Sequence, residues 1–306
     1  MSIQRLSTTG GKVRYKARVK SHGRQVAART FDRRADAVAW EQDQVRRLRL
    51  GDWIDPRRGH VTVSFVAEAW LLTRDGVKRR TRETDRFVWA SYVAPAFGRR
   101  SVASLTSAEI AEWAAQLIAG GRSPATSRRA LSTLRSILGH AIADERIVRN
   151  PAARVKALRG GVTREGQALT EVEVAALAAA CRGPMSDIVI LLAYTGLRWG
   201  ELAGLRVGDQ ICVPGPGLRL QRAALAGGGG DLFIDSLKDH QARTVPLTSH
   251  AADIVAHWGR NRPPSEWLFS TSAGTPLREG NWKRAVKWTA AKQSIGKPDL
   301  RVDLRH

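Results

Sequence analysis

Hydrophobic positions change their period twice along this chain. Between Val13 and Lys20, apolar and cationic residues alternate one for one. An extended strand there places Val13, Tyr15, Ala17 and Val19 on one face and Arg14, Lys16, Arg18 and Lys20 on the other. Residues 21–24 read as a turn and 25–31 as a second strand. Asp32 is the expected N-cap of a helix from about Arg33 to Leu50, with Ala37, Trp40, Gln44 and Leu48 on one face and Gly51 at its end.

After a Pro- and Gly-containing linker over 52–60, the period lengthens to that of helices. The first runs over 63–73, with Phe65, Val66, Trp70 and Leu71. The second runs over 82–93, with Phe87, Val88 and Tyr92. A third follows Thr106, which stands three residues before Glu109 at capping-box spacing. It carries Ile110, Trp113, Leu117 and Ile118. The fourth opens at Ser123-Pro124, carries Leu131, Leu134, Ile137, Leu138 and Ile142, fades near Ile147 and is stopped by Asn150-Pro151. A hinge over 152–166 separates these helices from the rest. Thr170–Glu173 is a second capping box, and 188–194 is an apolar helix. Three β-like runs follow over 218–225, 232–237 and 242–247, the first two separated by Gly227–Gly230 as a turn. Helical patterns return over 249–258 and 282–290. The fold expected is mainly α with small β-sheets, in three domains. These are a hairpin-plus-helix module (1–55), a four-helix domain (61–155) and a mixed α/β domain (165–306).

Charge turns this outline towards a partner. The 306 residues hold 50 Lys and Arg against 28 Asp and Glu, a net charge of +22. Counted along the sequence, residues 1–60 carry +9, 61–160 another +9 and 161–306 only +4. Such an excess favours a polyanion, with nucleic acid the commonest one. Four like charges on one strand face repel one another, and phosphates opposite them remove that repulsion. Arg128, Arg129 and Arg135, off the apolar stripe of the fourth helix, are placed to meet phosphates along a duplex. The plainer alternative for both surfaces is ordinary solvation. Cys181 and Cys212 are the only cysteines, so no disulfide framework is implied. No run approaches the roughly 18 apolar residues of a membrane span. The expectation is therefore a cytoplasmic protein. Neither metal-ligand spacing nor a phosphate-cradling glycine loop ahead of a helix occurs, so no metal, cofactor or small-molecule substrate is expected.

Three strings carry a resemblance. Thr195-Gly196-Leu197-Arg198-Trp199-Gly200-Glu201-Leu202-Ala203-Gly204-Leu205 resembles the first active-site box of tyrosine recombinases, the phage integrase family. Lys238-Asp239-His240-Gln241-Ala242-Arg243-Thr244-Val245-Pro246-Leu247 resembles that family's β-hairpin lysine segment, and Asp303-Leu304-Arg305-His306 its second arginine box. Their order and spacing, and the order of the three domains, match as well. The resemblance implies an arm-type DNA-binding module, a core-binding domain and a catalytic domain acting in DNA integration and recombination through a 3′-phosphotyrosyl intermediate. It assigns Arg198 and Arg305 to the non-bridging phosphate oxygens. Two guanidiniums suit this task because they stay charged at any biological pH and donate in pairs. Lys238 is assigned to protonating the leaving 5′ oxygen. As plain structural alternatives, Arg198 is a helix-start residue and Lys238 an exposed turn lysine. Glu201 is expected to orient or neutralise a local cation.

Two departures qualify the match. Three residues before Arg305, where the family has a histidine, stands Val302. The family's nucleophilic tyrosine follows the second arginine box, whereas the tyrosines here are Tyr15, Tyr92 and Tyr194, with Tyr194 expected to pack in the core. The catalytic domain is therefore expected to be incomplete at its C-terminal side and the chain to bind DNA without cleaving it. The alternatives are a non-catalytic, integrase-derived DNA-binding protein and a general cationic binder without site preference. Family behaviour also implies a homo-oligomer on DNA.

Overall fold

The computed structural model describes residues 2–7, 12–21, 24–50, 53, 55–156, 168–237 and 241–302. The chain divides into two compact units, residues 1–162 and 163–306.

The first unit opens with an antiparallel sheet of β1 (Ser2–Ser7), β2 (Val13–Ser21) and β3 (Arg24–Phe31), with β2 central. The alternation along β2 is realised. Ala17 and Val19 are fully buried on the side covered by α1 (Arg34–Arg49), while Arg14 and Lys20 are exposed. Strand β1 is an addition to the expected hairpin. Its two large apolar residues, Ile3 and Leu6, lie three apart and so fall on opposite faces, which is no strand signature. Asp32 is not the cap of α1. Arg33 holds that position without a side-chain bond, and Asp32 instead accepts from Arg14 Nε at 3.0 Å, with Lys12 at 3.7 Å. The cations of β2 and its approach outcompete the helix N-terminus for this carboxylate. The Trp40 ring lies 5.8 Å from that of Phe31, and Trp53 Nε1 donates to Gln44 at 3.1 Å.

Helices α2 (Val63–Leu72), α3 (Arg79–Val88), α4 (Ala94–Phe97), α5 (Ser107–Ala119) and α6 (Pro124–Ala143) complete this unit. A wide π turn over 89–93 joins α3 to α4, where Pro95 lacks the N–H needed to continue the ordinary ladder. The Thr106–Glu109 capping box forms, and Ser123 caps α6 with Pro124 in its first turn. Val66, Phe97, Ile110, Trp113, Leu131, Leu134 and Leu138 fill one core. Asp85, almost fully buried, draws α3 and α6 together. It accepts from Arg74 Nη2 at 2.8 Å and from Arg129 Nη2 at 2.5 Å.

In the second unit, α7 (Glu171–Ala180) starts at the Thr170–Glu173 capping box, and α8 (Asp187–Thr195) brings Ile188, Leu191 and Leu192 into the core. Gly196 ends α8 in the left-handed region (φ 62°), which a side chain adopts only at a cost. The chain then enters α9 (Trp199–Ala203). The apolar run over 218–225 is two strands rather than one. β5 (Gly217–Leu220) pairs with β4 (Gln210–Ile211) and β8 (Arg243–Pro246), while β6 (Arg222–Ala226) pairs with β7 (Leu232–Ser236) across the glycine turn. Helix α9 lies close on β6. A Cβ on Gly204 would stand 3.0 Å from Ala224 N and Arg222 O, so glycine is what admits this approach. Helix α10 (Ser249–Gly259) follows. The expected helix over 282–290 is broken into α11 (Glu279–Ala285) and α12 (Trp288–Ser294) by Lys287, whose φ is 55°. Trp282, fully buried, packs between Trp199 and Trp288 in tilted contact, with ring centroids 5.1 and 5.4 Å away.

Candidate functional site

The short helix α9 and strand β8 meet at one carboxylate. Glu201 has a side chain only 2% exposed and sits one turn after Arg198, which is the N-cap residue of α9. Its Oε2 accepts the Arg198 backbone N–H at 2.9 Å, and its Oε1 accepts Arg198 Nη1 at 2.9 Å. From β8, Arg243 donates Nη1 to Oε1 at 3.0 Å and Nη2 to Oε2 at 2.7 Å, a two-pronged pair. Burial raises the Glu201 carboxyl pKa, but the hydrogen bonds from Arg243 and Arg198 overcome it and hold the group below its ordinary value. It is therefore a fixed anion between two fixed cations.

Strand geometry explains why Arg243 reaches inward. It pairs with Leu220 and, two residues on, Val245 pairs with Leu218, so Arg243 shares its face with buried leucines. A guanidinium on an apolar face requires an anion, and Glu201 supplies it. The two arginine side chains remain 36% and 39% exposed, so two positive charges reach the surface of this unit above one buried negative charge. Among the described residues, Arg198 Nε and Nη2 and Arg243 Nε have no hydrogen-bond acceptor. This is the chemistry of an anion receptor with planar, paired donors.

Of the three residues nominated from the motifs, Arg198 stands at this clamp. Lys238 and Arg305 lie outside the described residues. Val302 is 4% exposed within the core of the second unit, so a valine there serves packing. Tyr194, expected in the core, is 40% exposed. Helix α8 buries the neighbouring face, with Leu191 and Leu192. Arg243 is the residue that motif reasoning left out. Its signal was available in the alternation of Arg243, Val245 and Leu247, which sets a charge on an apolar face.

The first-unit candidates divide. Lys16, Lys20 and Arg128 make no side-chain hydrogen bond or ion pair with a described residue, and Lys20 and Arg128 are exposed. Arg14 pairs with Asp32, and Arg18 Nη2 donates to Gln4 at 2.9 Å. Arg129 braces Asp85. Arg135 donates Nε to the carbonyl of Ala152 at 2.9 Å and Nη2 to that of Val155, tying the segment after α6 to the helix. Arg129 and Arg135 thus have structural posts that their position off the apolar stripe did not reveal.

Comparison with known proteins bears on this arrangement. Residues 63–158 match the phage integrase central domain, and residues 167–306 match the phage integrase family. The chain belongs to the phage integrase family. It is 28% identical to the integrase of Mycobacterium phage L5 over 92% of this chain and 78% of that protein. The integrase of Mycobacterium phage D29 is also 28% identical, over 92% and 77%. Among solved structures, the Tn1549 transposon integrase in complex with a circular intermediate DNA superposes with a TM-score of 0.64 at 21% identity, covering 74% of this chain and 78% of that one. A lambda integrase tetramer bound to a Holliday junction gives 0.58 at 18% identity, covering 95% and 84%. These likenesses establish the integrase fold. Among the described residues, no helix is long and apolar enough to cross a membrane.

Proposed function

We propose that this integrase-family chain is a site-specific DNA recombinase whose second unit receives one backbone phosphate at Arg198, with Lys238 and Arg305 completing the charge around it. The observation that carries the reading is the Glu201 clamp. It holds Arg198 in one geometry while leaving its outer donors exposed, as stabilisation of a pentacoordinate, charge-spread phosphate requires. The motif match carries Lys238, as proton donor to the departing 5′ oxygen, and Arg305, as the second oxygen ligand. The first unit grips the duplex through its net positive charge, with Lys16, Lys20 and Arg128 as phosphate contacts and Arg14 and Arg18 beside them on β2. The DNA-bound lambda and Tn1549 integrases support double-stranded DNA as partner, and the lambda tetramer supports assembly of several copies on it.

The second reading is a non-catalytic, integrase-derived DNA-binding protein, which holds DNA without forming a covalent adduct. Selection from a random-sequence duplex pool tests the first claim. The expected result is one enriched motif bound at least about a thousandfold more tightly than the unselected pool. A pool that stays random would leave only a cationic binder. Denaturing electrophoresis on a nicked suicide duplex of the selected motif tests the second, and a protein–DNA adduct would overturn it.

A further inference from the structure

We infer that Arg243 is a positioning residue of the phosphate site, acting through Glu201 to fix the Arg198 guanidinium. The inference rests on the phosphate reading above and extends it to a residue that no motif nominated. Three observations carry it. Arg198 Nη1 and Arg243 Nη1 share one oxygen, Glu201 Oε1, so the two guanidiniums are held edge to edge. Arg243 occupies both carboxylate oxygens, which sets the rotation of the carboxylate and hence the direction in which Oε1 draws Arg198. Glu201 is almost wholly buried, so without Arg243 the carboxylate would keep a single side-chain cation, itself more than a third exposed. The other arginine near α9, Arg222 on β6, cannot substitute. It is bonded to Asp209 at 2.5 Å.

The consequence is a division of labour. Arg198 faces the phosphate, Glu201 aims it, and Arg243 holds Glu201 in orientation. Lysine at 243 would keep the charge but not the two-pronged grip, because an ammonium presents a point charge rather than a planar fork.

The test uses the full 306-residue chain and duplexes of the selected motif, each with one phosphate replaced by an uncharged methylphosphonate. Wild-type binding is expected to fall about tenfold at one phosphate, the size of a single good charged contact. Arg198→Ala should abolish that sensitivity, Arg243→Gln should abolish most of it, and Arg243→Lys should fall between wild type and Arg198→Ala. Thermal melts of each variant establish that the second unit is folded. If Arg198→Ala leaves the profile unchanged, the phosphate reading itself fails. If Arg198→Ala flattens it and a folded Arg243→Gln does not, the phosphate reading stands and the role of Arg243 is refuted. If Arg243→Gln does not fold, Arg243→Lys decides, and a profile identical to wild type overturns the inference.

Discussion

Replacing Glu201 with glutamine keeps the shape of the side chain and removes the one negative charge between Arg198 and Arg243. The amide still offers one acceptor, but its NH2 now faces two N–H donors whichever way it is turned, so two of the four hydrogen bonds become donor–donor clashes. Breaking a fully buried ion pair by removing one partner costs about 3–5 kcal/mol. Here both arginines are more than a third exposed, and water recovers part of that loss, so the expected cost is about 2 kcal/mol. For a unit of this size that lowers the midpoint of its thermal transition by about 6–8 °C, measured by differential scanning calorimetry. The pH dependence follows from the lowered carboxyl pKa. Because the folded group titrates below its ordinary 4.5, its stabilisation is complete above that value and is lost as pH falls through the lower folded one. The gap between wild type and Glu201→Gln is therefore constant near neutrality and narrows below pH 4.5. Coincident melts at neutral pH, or a gap that persists undiminished in acid, would refute the clamp.

Trp282→Ala removes a fully buried ring packed against Trp199 and Trp288 and a 3.0 Å hydrogen bond to the Met185 carbonyl. It should cost about 3–5 kcal/mol in a denaturant melt, and a loss under 1 kcal/mol would show that the site collapses freely. Asp85→Asn weakens the tie from α3 to Arg74 and Arg129 and should destabilise the first unit by about 1–3 kcal/mol, read from the calorimetric transition assigned to that unit. Cys181, buried and with its thiol pushed up to about 11, should resist a thiol reagent in the native protein while the exposed Cys212 is labelled at once. Two equally fast reactions would contradict the placement of Cys181.

Local signals in this chain were legible wherever the deciding interaction spans a few residues. Both capping boxes, the helices of the first unit and the glycine turn between β6 and β7 each depend on neighbours within about one helical turn or one hairpin. The alternation of β2 likewise announced its buried face. Where two local options compete, the sequence does not rank them. Asp32 had a helix end beside it and cations eighteen and twenty residues back, and the cations took it. The apolar run over 218–225 read as one strand because a period of two does not reveal that its halves join different sheets.

The candidate site divides along the same line. By itself the sequence determined that Arg198 and Glu201 lie one turn apart on a helix start, a spacing that fixes their contact through backbone geometry alone. It also determined, through its motifs, which kind of chemistry to look for. Only the tertiary structure decided that Glu201 meets Arg243, forty-two residues away, and that Arg129 crosses forty-four residues to Asp85. Buried charges must find opposite charges, but which ones they find depends on how strands and helices pack. That is a property of the whole unit, and no stretch of sequence a few residues long contains it.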